Sequence, residues 1–270
     1  MTPPSDSPWF LPLFCATLFS VVPLQAAPVL GDIGLSTPVS DSVETITGIY
    51  WAANTVTGES LNNTPDSSGN NYTGTLRVGS GGSGPLPTLT GGVDRAGTSG
   101  YGNGISLASD YSTATNRNPM IYRPSNSPEL AMDDTDFTGG AWLSFNSLQT
   151  GFQQVMIMDR GAQNASAASY GGGWSFFLEK DALGMWRIGF TVRDNTASTT
   201  IYTAYGDWEL ELEEWYHFGF SYEYHSAENN LVTFWKDGVA LDTVSLDRNI
   251  TAGTPDTLGT YFSVGERSAS

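Results

Sequence analysis

Ten consecutive residues, Trp215-Tyr216-His217-Phe218-Gly219-Phe220-Ser221-Tyr222-Glu223-Tyr224, constrain the fold more than any other part of the chain. Successive side chains of an extended strand point to opposite faces, so alternation sorts this run into two sets. Tyr216, Phe218, Phe220, Tyr222 and Tyr224 share one face. Trp215, His217, Gly219, Ser221 and Glu223 share the other. Five rings on one face of a strand read as the inner layer of a sheet sandwich rather than as a sugar platform.

The residues downstream carry the same period. Residues 231–236 and 239–246 are two alternating runs separated by Asp237-Gly238. That dipeptide predicts a two-residue hairpin, because a tight primed turn needs positive φ at its centre. Upstream, residues 141–145, 154–158, 173–178 and 185–192 read as strands, with a turn at 180–184 between the last two. Earlier still, a short strand at 48–52 leads into a polar loop, and another strand begins near Thr73. Residues 78–104 are Gly-rich and contain Pro85 and Pro87, which predicts a long surface loop or a flexible insertion. Gly-Tyr-Gly-Asn-Gly at 100–104 is not a nucleotide fingerprint, since no helix follows it to receive a phosphate.

No long stretch shows a 3.6-residue apolar period. The 31 glycines, together with frequent Asn, Ser and Thr between apolar runs, suit many short strands joined by turns. The expected fold is all-β, a two-sheet antiparallel sandwich, and 270 residues fit one such domain.

Residues 9–24 are apolar and are followed by Ala26 and Ala27, the layout of a signal peptide cleaved near residue 26. The run is too short for a membrane span, and Pro12 and Pro23 interrupt it. Export to the cell surface or the extracellular medium is therefore expected, with residues 1–26 removed, an N-terminal linker over 27–45 and one domain over 46–270. Cys15 is the single cysteine and lies in the leader, so the mature chain is expected to hold no disulfide. Bulky Phe14 before it makes a poor lipid-attachment site. Acidic residues outnumber basic ones 28 to 11, for a formal net charge of -17. Such a chain repels nucleic-acid phosphates and anionic membranes. Neither is an expected partner, and no membrane insertion of the mature chain is expected.

Five motifs stand in a recognisable order. Asp66-Ser67-Ser68-Gly69-Asn70 precedes Gly74-Thr75-Leu76. Asp136-Phe137-Thr138 leads to Trp142. Trp215-Tyr216-His217 runs on to Tyr222. Phe234-Trp235-Lys236 ends in Asp237-Gly238, and Tyr261-Phe262-Ser263-Val264 ends in Gly265. Over residues 46–270 this order resembles the laminin-G-like jelly-roll domains of the concanavalin A-like lectin/glucanase superfamily. The resemblance implies a jelly-roll topology and a non-enzymatic module that binds carbohydrate or another extracellular partner. The family's closing strand of paired aspartates and an aromatic has no counterpart here, so the expectation is either a fragment of a longer protein or a domain that lacks its last strand.

Three acidic groups are candidate sites. Asp66 and Asn70 flank Gly69, and hard Ca²⁺ takes six to eight oxygens from carboxylates, amides and carbonyls. The resemblance also implies a structural Ca²⁺ near this loop. An Asx-turn, in which Asp66 caps local amides, accounts for the same residues. Asp133, Asp134 and Asp136 read as a solvated loop. Glu209, Glu211 and Glu213 alternate with Leu210 and Leu212. On a strand the three carboxylates would share one face about 6.6–6.8 Å apart, with both leucines inward. Retaining glycosidases hold two carboxyls about 5–5.5 Å apart. Laminarinase-like enzymes of the superfamily use a similar strand motif, but Glu211 stands where their central Asp belongs. A β-glucan hydrolase using Glu209 and Glu213 is therefore the alternative function, and a purely structural surface module is a third. His217 and His225 have no partners at zinc spacing, and His217 reads as a satisfied strand histidine. No catalytic residue is expected.

Overall fold

The structure is a computed structural model of the chain. It describes residues 28–36, 49–51, 63–64, 74–78, 88–90, 104–106, 119–122, 132, 134–145, 153–160, 173–193, 198–203, 209–226, 229–250 and 262–265. These form strands β1 (Pro28–Ser36), β2 (Ile49–Trp51), β3 (Asn63–Thr64), β4 (Gly74–Val78), β5 (Thr88–Thr90), β6 (Gly104–Ser106), β7 (Pro119–Tyr122) and β8 (Phe137–Phe145). They continue with β9 (Gln153–Asp159), β10 (Gly173–Lys180), β11 (Trp186–Arg193), β12 (Ser198–Tyr202), β13 (Trp215–Glu223), β14 (Asn230–Lys236), β15 (Val239–Leu246) and β16 (Ser263–Val264). Among the described residues there is no helix, and so none long and apolar enough to cross a membrane.

The strands make two antiparallel sheets. The first runs β15-β14-β13-β8-β1-β6-β5, with β2 also paired to β1. The second runs β12-β11-β10-β9-β16-β7-β4-β3. The alternation in β13 works as the sequence predicts. Phe218, Phe220 and Tyr222 are buried, and Tyr216 and Tyr224 pack partly buried against the same cluster. These rings meet the second sheet directly. Phe220 lies 4.8 Å from Phe190 and 4.9 Å from Phe176, centroid to centroid. On β8, Phe137 touches Trp174 of β10 at 5.2 Å. The sheets therefore pack face to face over an aromatic core.

Register explains why the second sheet faces inward as it does. Ile201, Phe190, Phe176, Met158, Val264 and Ile121 stand side by side across six strands. All but Ile201 are buried, and Ile201 packs against the core. One residue along, on the outward face, the row reads Thr200, Thr191, Ser175, Asp159 and Ser263. A one-residue slip would exchange the apolar row for the polar one, so register is strongly specified.

The two predicted turns close as expected. Asp237 and Gly238 both take positive φ, 51° and 79°. The Asp237 amide donates to the His217 carbonyl at 2.8 Å, and Asp237 Oδ1 accepts from the His217 amide at 2.7 Å. The turn is thereby tied to the neighbouring strand as well as to its own hairpin. Between β10 and β11, Asp181 Oδ1 accepts the amides of Leu183 and Met185, and Gly184 sits at φ 93°.

Three expectations change. Residues 28–36, expected within a linker, form β1. This strand pairs with β8 through seven register positions, with a shift between Leu30 and Ile33, and with β6 on its other side. Its Pro28 is the first strand residue, where a missing amide costs least. Within the Gly-rich stretch, β5 pairs with β6 rather than all of 78–104 being loop. Finally, residues 209–214 are not a strand. They lead into β13 through a turn, with Glu213 at φ 66° and its amide bonded to the Phe145 carbonyl. Leu210 is buried, but Leu212 is half exposed, so the two leucines do not share an inward face.

Candidate binding face on the first sheet

The outward face of β13 is less bare than a solvated strand face would be. Trp215, His217 and Ser221 are half-buried there, and Gly219 is buried. Neighbouring strands supply the rest. His217 stands opposite Trp142 of β8, and Gly219 stands between Gly140 of β8 and Trp235 of β14. Side chains directly opposite in a sheet share a face, so Trp142, Trp215 and Trp235 surround His217 on one surface.

Glycine sets the height of the imidazole. A Cβ added at Gly140 would come within 2.9 Å of His217 Nε2 and 3.0 Å of the Phe218 carbonyl. At Gly219 it would meet the Gly139 carbonyl at 3.2 Å and His217 Cε1 at 3.4 Å. The ring therefore lies down on two bare backbone positions. Its centroid is 5.3 Å from that of Trp142, tilted by 57°. Gly140→Val should force the imidazole off the sheet. We expect a loss of about 1–3 kcal/mol in urea unfolding, as for other overpacking substitutions.

Trp235 is fixed by its own polar edge. Its indole Nε1 donates to Ser221 Oγ at 3.2 Å. A hydroxyl has one proton and two acceptor sites, so Ser221 can still donate to a third group. Thr233 Oγ1 and Thr243 Oγ1 pair at 2.9 Å beyond it. Thr138 is exposed opposite Ser221. The face thus offers flat rings with hydroxyls at one side.

Its charge is low. Strands β8, β13, β14 and β15 together hold one lysine and no arginine. That lysine, Lys236, binds Asp237 Oδ2 at 2.8 Å and lies over the Tyr216 ring at 4.6 Å. Burial holds the His217 pKa below its usual value, against an opposing pull from Asp237. The neutral ring is therefore favoured in the folded state. Stability from this source is complete above the ordinary histidine pKa and is lost as pH falls through the lowered value. The stability advantage of the wild type over His217→Gln should shrink when urea unfolding is repeated at pH 5.5 instead of 7.5.

The outward face of the second sheet is more buried and more polar. Asp159, Ser175, Glu179, Thr191 and Ser263 are all buried. Glu179 Oε1 accepts from Arg187 Nε at 2.9 Å, and the guanidinium stacks on Tyr202 at 3.5 Å. Gly189 leaves room for the Phe177 ring, which a Cβ there would meet at 2.4 Å.

The other sequence candidates fall as follows. Asp66 and Asn70 lie outside the described residues, as does Asp133. Asp134 and Asp136 are exposed, yet each accepts a hydrogen bond. Asp136 Oδ1 takes the Tyr224 amide at 2.7 Å, and Asp134 takes the Asn249 amide group. Asn249 in turn accepts the Tyr222 hydroxyl at 2.9 Å. Burial raises the Tyr222 pKa, and the bond to Asp134 raises that of Tyr224. Glu209, Glu211 and Glu213 are exposed in their turn and do not share a sheet face. Among the described residues no three His, Cys, Asp or Glu side chains gather as metal ligands would. The tryptophan face itself was missed by sequence reasoning, which left open which rings lie outward. No family, curated protein or solved structure matches this chain.

Proposed function

We propose that the chain is an exported, non-enzymatic module of the laminin-G-like jelly-roll type that binds carbohydrate on the outward face of the first sheet. The observation that carries this reading is the arrangement of Trp142, Trp215 and Trp235 around a flat-lying His217. A pyranose ring presents an apolar face of C–H groups and a rim of hydroxyls. An indole buries the first, and the hydroxyls of Ser221 and Thr138 meet the second. Binding sites in general combine such apolar surface with a few placed polar groups. The motifs from Asp66 to Gly265 that resemble laminin-G-like domains support the jelly-roll topology.

A glycan array with the purified protein tests the reading. Retention of polysaccharide, lost in Trp142→Ala, is the expected result. Retention of an extracellular protein but no glycan would replace it with a protein-binding role. Turnover of β-glucan, abolished in Glu209→Gln, would replace it with a hydrolase.

The Asp66 and Asn70 loop keeps its assignment as a structural Ca²⁺ site within this proposal. A metal that binds only the folded state stabilises it by about 2.7 kcal/mol at a hundredfold excess over Kd. Millimolar Ca²⁺ after chelation should raise the Tm by several degrees, and Asp66→Ala should remove that rise. An Asx-turn predicts no calcium response and a lower Tm for the mutant without metal.

A further inference from the structure

Resting on that reading, the geometry points to the ligand class: an uncharged polysaccharide segment longer than one sugar ring, laid across the strands from Trp142 to Trp235. Three observations carry this.

The first is span. Trp142 is on β8 and Trp235 on β14, with β13 between them, and Trp235 stands one side-chain row further along. Two strand spacings and one two-residue step separate their backbones by about 12 Å. That separation exceeds the width of one pyranose ring. A chain of sugars can cover it, crossing His217 on the way.

The second is flatness. Gly34, Gly140 and Gly219 stand in one register row across β1, β8 and β13. No side chain rises from this row, and the imidazole that covers part of it lies flat. Among the described residues, only the imidazole of β13 stands between the two tryptophans. Both glycan-facing aromatics are also restrained: Trp235 by Ser221, and Trp142 by its contact with His217. Restraint lowers the entropy lost on binding.

The third is charge. A carboxylated or sulfated glycan needs cations to replace its hydration. The four strands of the face provide only Lys236, already bound to Asp237 and seated over Tyr216. Glu223 and Asp242 lie on the same strands, and the chain as a whole carries -17. Like charges brought together cost free energy and slow encounter. Acidic glycans are repelled at long range and find, among the described residues of these four strands, only a lysine already engaged by Asp237.

The experiment is native gel retardation of the full chain in neutral and acidic polysaccharides of similar length. Hydroxyethyl cellulose, laminarin and galactomannan are the neutral probes, and polygalacturonate and heparin the acidic ones. At least one neutral polymer should retard the protein, and the acidic ones should not. Retardation should persist from ~0.01 M to ~1 M salt, over which the Debye length falls from about 30 Å to about 3 Å. Trp142→Ala and Trp235→Ala should each weaken binding roughly tenfold or more, while Trp142→Phe and Trp235→Phe retain most of it. Circular dichroism of every variant guards against unfolding, and the Phe variants report on ring contact if an Ala variant fails to fold. Equal or stronger retardation by the acidic polymers would overturn the inference while leaving carbohydrate binding intact. So would neutral binding that ignores both tryptophans, or a monosaccharide binding as tightly as the polymer. Retardation by none of the probes would overturn the proposed function itself.

Discussion

Phe220→Ala should destabilise the protein by about 3–5 kcal/mol, the range for deleting a ring from a packed core. Phe220 is about 1% exposed and sits where both sheets converge. Besides Phe176 and Phe190, its ring lies 5.4 Å from Phe137 and 5.7 Å from Trp174. Four aromatic neighbours from β8, β10 and β11 cannot all collapse into the space it leaves, because each is held by its own strand. The cavity term therefore adds to the lost transfer free energy. For a domain of this length each kcal/mol lowers the Tm by about 2–4 °C, so a fall of about ten degrees is expected. Ser221→Ala, one residue away on the opposite face, is the control. It removes one hydrogen bond to Trp235 and should cost about 1 kcal/mol. Urea denaturation of the two variants checks the contrast. Similar losses in both would mean that the ring is not in the core and that the register of β13 is reversed.

The contrast also shows what local pattern can reveal. The β13 alternation and the Asp237-Gly238 turn were legible because each is decided within a few residues. One is a consequence of strand geometry, and the other of the φ that a tight hairpin requires. β10 shows the limit. Every residue from Gly173 to Glu179 is buried, so its two faces cannot be told apart by polarity. Phe177 points outward and away from the main core cluster, into a space that Gly189 opens on the next strand. Only pairing across strands reveals that fit. The same holds for the binding face, where Trp142 lies 73 residues before Trp215 and 93 before Trp235 in the chain. The glutamate run misled for a related reason. Its alternation suggests a strand, but Glu213 turns the chain with positive φ so that its amide can meet Phe145. The acidic loop at 134–136 was legible as exposed, though not as the acceptor set for Tyr224 and Asn249. β1 was missed because Pro28, Gly31 and Gly34 weaken its strand signal, while β8 and β6 supply the pairing that compensates.

Glu179→Leu should cost nearly as much as the core deletion, for a different reason. The Glu179 side chain is 8% exposed and that of Arg187 is 23% exposed. Removing the carboxylate leaves a guanidinium held against Tyr202 with its strongest acceptor gone. Breaking a buried ion pair costs about 3–5 kcal/mol, and the partial exposure of Arg187 places this case at the lower end. Tyr202, whose hydroxyl lies 3.4 Å from Glu179 Oε2, loses an acceptor as well. The loss should not be read as the net worth of the pair. Two charges were taken out of water to form it, and a matched apolar pair avoids that cost. Glu179→Leu/Arg187→Met should therefore recover much of what Glu179→Leu alone loses. Strand pairing favours this outcome, since Glu179 and Arg187 stand directly opposite each other on β10 and β11. Their replacements would touch each other and the buried Phe177 ring beside them. A thermodynamic cycle of the two single variants and the double variant measures the coupling. If the double variant is as unstable as the sum of the singles, the cost comes from lost packing of each side chain separately. A stranded charge then has no part in it.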